Sequence, residues 1–101
     1  MAAIACQPPA GLPTPRAIPG SQVVTGIVIA AVGPDATQVD RFTLRDDDGV
    51  VLDFEVGRLD LSEGGLAAPH LREHLVSGER IRVTYRTETD GLVALRYVDA
   101  P

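Results

Sequence analysis

The sequence predicts a mostly β domain, a five-stranded barrel with one short helix between the third and fourth strands. Three observations carry that expectation. Five segments, at 22–32, 41–45, 50–56, 80–87 and 92–98, hold apolar residues at a two-residue spacing or as a β-branched run. One stretch, 69–76, opens on proline, spaces two leucines four apart and is followed by Ser77-Gly78. Ten glycines and eight prolines in 101 residues supply the many turns that an all-β chain needs.

Residues 22–32, QVVTGIVIAAV, are apolar at both parities. Val24, Val28, Ala30 and Val32 fall on one, Val23, Ile27, Ile29 and Ala31 on the other, as in a strand covered on both faces. Gly26 permits a bend, and Gly33-Pro34-Asp35 ends the strand. In 41–45, Phe42 and Leu44 are expected to face inward, Thr43 and Arg45 outward. Asp46-Asp47-Asp48-Gly49 reads as a solvated hairpin turn. It lacks the alternating ligands of a calcium loop, and Gly57 stands where such a loop needs its bidentate Glu. In 50–56, Leu52, Phe54 and Val56 face inward.

Residues 57–67 have no period and read as a loop over Leu59, Leu61 and Leu66. Pro69 suits the first helical position, where an N–H would have no partner. Leu71 and Leu75 form the expected core stripe, and Ser77-Gly78 ends the helix. In 80–87, Ile81, Val83 and Tyr85 point inward and Arg80, Arg82, Thr84 and Arg86 outward. Register decides the last turn. A two-residue Asp90-Gly91 loop would set Tyr85 against Arg96. A three-residue Thr89-Asp90-Gly91 loop pairs Tyr85 with Leu95, Val83 with Tyr97 and Thr84 with Arg96, which segregates the faces.

This β-β-β-α-β-β order over 22–99 resembles the OB-fold, in which a helix between strands three and four closes the bottom of the barrel. The stretches FTLRDDDG and HLREHLVSGERIRVTYR are also similar to small bacterial extracytoplasmic domains built on that fold. The resemblance implies a fold and a location, and no activity.

Two regions are expected: residues 1–21, and a barrel domain from 22 to 101. Five prolines between Gln7 and Ser21 make that stretch an extended tether. Ahead of it stands Met1-Ala2-Ala3-Ile4-Ala5-Cys6, with the chain's single cysteine. Small residues before a cysteine and a linker after it resemble the lipobox of bacterial lipoproteins, which implies lipid attachment at Cys6. Ala3 stands where that family has Leu, and the basic and apolar parts of a signal peptide are expected upstream of Met1.

A net charge of −5 argues against nucleic acid as the partner, because phosphate neutralisation supplies most of that affinity. No phosphate-cradling glycine loop, nucleotide fingerprint or Ser/His/Asp set appears, so neither a cofactor nor catalytic residues are expected. Arg82, Arg86 and Arg96 are expected to share the outer face of the last two strands, as a strip for an anionic ligand. His70-Leu71-Arg72-Glu73-His74 matches H-x-x-E-H, the zinc motif of inverted zincins. Those enzymes draw a third ligand, a Glu, from much further downstream, and here only Glu79 and Glu88 follow. His70 and His74 are therefore read as partly exposed histidines on the flank of the plug, with weak metal binding as their chemistry.

The expectation is a non-enzymatic extracytoplasmic module for an unidentified protein or small ligand, with the membrane reached only through Cys6. A cytoplasmic single-strand nucleic-acid-binding domain is the alternative, and a metal-binding protein or hydrolase through His70 and His74 the third. Labelling cells with palmitate checks the tether. Label on the intact chain and none on Cys6→Ala is expected, whereas an unlabelled cytosolic pool would favour the alternative location.

Overall fold

The computed structural model describes residues 20–35, 37–62 and 64–100; the proline-rich stretch and Cys6 lie outside the described residues. The elements are β1 (Gln22–Val32), β2 (Arg41–Asp46), β3 (Val51–Val56), a 3₁₀ turn (Ala68–His70), α1 (Leu71–Ser77), β4 (Ile81–Glu88) and β5 (Gly91–Asp99). The strands close into a barrel in the order β1-β2-β3-β5-β4, with β4 returning to β1. β3 and β5 pair in parallel over Phe54–Val56, and the other pairs are antiparallel. The expected mostly β architecture, with one short helix between β3 and β4, is what the chain adopts. It is compatible with an OB-fold.

The barrel interior holds Phe42, Leu44, Phe54, Val83 and Tyr97, with Leu71 entering from the helix. Phe42 stacks on Phe54 at 5.1 Å, and Tyr85 meets Phe54 edge-on at 5.1 Å. Val39, in the loop between β1 and β2, is also buried. Nothing in that loop's sequence period marks it.

β1 serves two neighbours. It pairs with β4 from Gln22 to Gly26 and with β2 from Gly26 to Val32, so Gly26 belongs to both ladders. A Cβ at Gly26 would lie 2.2 Å from the Arg45 carbonyl oxygen. Only a residue without a side chain lets the strands cross that closely.

Apolar residues at both parities of β1 have a different cause from the one expected. Val23, Ile29 and Val32 are exposed, so the strand is not covered on both faces. A bulge at Ile29, between the pairs Val28–Leu44 and Ala30–Thr43, switches parity. Val24 and Val28 pack on the core before it and Ala31 after it. The last hairpin repeats the device. Val83–Tyr97 and Thr84–Arg96 pair as expected, but Tyr85 then meets Ala94, because Leu95 bulges out of register. The extra residue thus sits in the strand, and the turn shrinks to Thr89-Asp90 between the Glu88–Gly91 pair.

The helix departs from its expected stripe. Leu71 is fully buried, but Leu75 is 37% exposed, and the second buried residue is His74. α1 has only seven residues and rests on β1 along one short face, where positions three apart meet the barrel. Gly78, at φ 73°, ends it by donating its N–H to the His74 carbonyl. Leu61, expected under its loop, is exposed, while Leu59 and Leu66 pack on the core.

Gly26→Ala should lose about 2–3 kcal/mol in urea denaturation through overpacking at the crossing. Gly57→Ala, where a Cβ meets only Val93 at 3.9 Å, should stay within about 0.5 kcal/mol of the parent. Equal midpoints for the two variants would contradict the crossing argument.

Candidate metal centre

His70 closes the 3₁₀ turn and His74 follows one turn later in α1. Their rings meet edge-on at 4.8 Å. Each Nδ1 faces an oxygen: His70 Nδ1 lies 2.5 Å from Glu73 Oε2, and His74 Nδ1 lies 3.2 Å from the Glu79 carbonyl oxygen. A carbonyl only accepts, so the His74 hydrogen sits on Nδ1, and the same tautomer satisfies the carboxylate at His70. In that neutral tautomer each ring presents a lone pair at Nε2.

Those two atoms converge on the end of β5. Asp99 pairs with Ile81 at the barrel's plugged end, two positions past the buried Tyr97. Asp99 Oδ1 lies 2.6 Å from His74 Nε2 and 3.9 Å from His70 Nε2. His74 is 3% exposed, yet its Nε2 is buried with no hydrogen bond. The approach is close, but its geometry is not that of an N–H···O hydrogen bond. One donor atom from each of His70, His74 and Asp99 lies within 4.8 Å of the others. The group borders an open cleft that Glu73, Ser77 and Glu79 also line.

His74 is therefore not the partly exposed flank residue that the sequence implied. It is a buried member of the plug, brought there by the short helix, with its Nδ1 on the Glu79 carbonyl and its Nε2 facing Asp99. Asp99 was missed as a third donor because it stands 25 residues beyond His74 (99 less 74) on another element, and only the packing of α1 on the barrel brings the two together. Its position at the end of an inward-facing alternation with Tyr97 was the available signal. The Tyr97 ring meets that of His74 edge-on at 6.4 Å, and its hydroxyl donates to the Ala67 carbonyl oxygen at 2.5 Å. Burial, then the charges of Asp99 and Glu73, push its pKa up, so it remains a donor.

The three arginines expected as a strip differ in exposure. Arg86 is exposed and Arg82 half-buried, but Arg96 is 5% exposed. The segment after β3 lies along β5 as a strap, with the Asp60 N–H donating to the Leu95 carbonyl at 2.8 Å and Leu66 N–H to that of Tyr97 at 3.0 Å. It carries Asp60 to within 3.4 Å of the Arg96 guanidinium. β5 pairs with β3 over only three residues, so its remaining edge needs a partner, and covering that edge also covers Arg96. Of the aromatic side chains, Phe42, Phe54 and Tyr97 are buried, and half-buried Tyr85 donates its hydroxyl to Gln22.

No family model, curated protein or solved structure matches this chain.

The Ser62 hydroxyl and N–H, and then the Arg96 charge, hold the Asp60 carboxyl below its usual range. Asp35 is lowered likewise, first by the Thr37 hydroxyl. Their stabilising contribution is present above the unfolded carboxylate value and is lost as pH falls through the lower folded one. Melting temperature should therefore fall below about pH 4. Asp60→Asn should melt lower than the parent at pH 7, with the gap narrowing at low pH. A gap independent of pH would remove the carboxylate from the strap's anchorage.

Proposed function

We propose that this chain is a non-enzymatic binding module that captures a divalent cation where the helix plugs its barrel. The observation that carries this reading is the buried Nε2 of His74, unbonded and 2.6 Å from an anionic oxygen. With the hydrogen on Nδ1, Nε2 and the carboxylate oxygen are both acceptors and repel, and a buried polar atom without a partner is costly. A cation held between them removes both penalties, and the cleft gives it a way in.

What supports a binding role over a catalytic one is how the neighbouring groups are engaged. Both imidazoles have an oxygen at Nδ1, and the Ser77 hydroxyl oxygen accepts the Glu79 N–H. The same proposal keeps the domain outside the cytoplasm on a lipid tether. Its support is the small-residue run ending at Cys6 and the proline-rich stretch after it.

Isothermal titration of the full chain with Mg2+, Ca2+, Mn2+ and Zn2+ at neutral pH tests the cation reading. One ion per chain for at least one metal is expected, with affinity about tenfold or more weaker in Asp99→Asn. No heat with any of the four up to millimolar concentration would end it.

A further inference from the structure

Resting on that reading, we infer that the ion is a borderline transition metal of the zinc class, held by His70 Nε2, His74 Nε2 and Asp99, with a fourth position open to an outside donor. The donor set chooses the class. Two imidazole nitrogens and one carboxylate suit Zn2+, Co2+, Ni2+ or Cu2+. Ca2+ seeks six or more oxygens, and Mg2+ an octahedron of them.

The spacing is close to what such an ion needs. Metal–ligand bonds of about 2.0–2.1 Å place tetrahedral donors about 3.3 Å apart. The Asp99 oxygen lies 2.6 Å from one Nε2 and 3.9 Å from the other. Those two separations must therefore each change by well under about 1 Å, and the widest of the three, within 4.8 Å, must close by up to about 1.5 Å. The side chains that have to move are the accessible ones: His70 is 36% exposed and Asp99 62%, whereas His74 is fixed in the plug.

The groups behind the ligands are already in place. Glu73 fixes the His70 ring through Nδ1, and the Glu79 carbonyl fixes that of His74. A carboxylate or carbonyl behind a ligating imidazole sets its tautomer and raises its basicity. Because Glu73 is engaged at His70 Nδ1, the Nε2 side of the site has three protein donors. The cleft in front of them, about 220 Å³, has room for several waters or a small donor molecule. A bound ion also ties the end of β5 to the helix, so metal should stabilise the fold by mass action.

Co2+ added to the full chain tests this by visible absorption. Intense d–d bands of a four-coordinate ion are expected, displaced stoichiometrically by Zn2+, together with a higher melting temperature. Addition of imidazole should shift the bands by entering the fourth position. Nitrogen NMR of the Zn2+-loaded chain should move the Nε2 resonances of both histidines. His70→Ala and Asp99→Asn, both at accessible positions, should keep the parent's far-ultraviolet dichroism and weaken Co2+ binding at least about tenfold; Glu73→Gln should retain the bands with affinity lowered about tenfold. Binding of Ca2+ or Mg2+ without Co2+ or Zn2+ overturns the ion class and leaves the cation reading standing. Co2+ binding unchanged in His70→Ala and Asp99→Asn overturns the ligand assignment. Bands indifferent to imidazole overturn the open position, and failure of every ion to bind overturns both this inference and the reading beneath it.

Discussion

Closure of the barrel depends on the approach of two backbones at Gly26. A five-stranded sheet has to bring its first strand against both the second and the fourth, and β1 does so by changing partners at one residue. The Arg45 carbonyl occupies the space that a Cβ would take. Everything that later makes a site follows from this closure. It brings β4 and β5 to the side of the barrel where α1 rests on β1, and so sets Asp99 opposite the two histidines.

A closed small barrel also curves more than regular alternation allows. Extra residues at Ile29 and Leu95 absorb the curvature, and each reverses which parity points inward. Ala94 and Tyr97, three apart, are consequently both buried. The strap from β3 meets the same geometric demand from outside. β5 outruns its parallel partner, and the strap satisfies the exposed backbone while enclosing Arg96 beside Asp60.

Burying His74 in the plug sets the chemistry of the plugged end. An imidazole has two nitrogens, and here the packing commits one to a carbonyl and turns the other toward a carboxylate. An apolar residue there would seal the barrel as well and leave no lone pair behind it. The exposed Leu75 and Val76, next in the helix, show that apolar side chains stand close by in sequence while the histidine takes the inside. The plug is thus both a structural closure and the wall of a polar cleft.

The sequence by itself determined the element order, the inward faces of β2, β3 and β4, the helix-ending glycine and the pairing of Val83 with Tyr97. Each of these follows from local alternation and turn chemistry, which act over a few residues. The pair His70 and His74 was legible for the same reason, since i and i+4 share a helical face. Tertiary structure decided the rest: the two bulges, the enclosure of Arg96, the burial of His74 in place of Leu75, and the meeting of Asp99 with the histidines. These are consequences of curvature and of contacts between distant segments. A residue's own neighbours in the chain carry no record of the strand or strap that will lie over it.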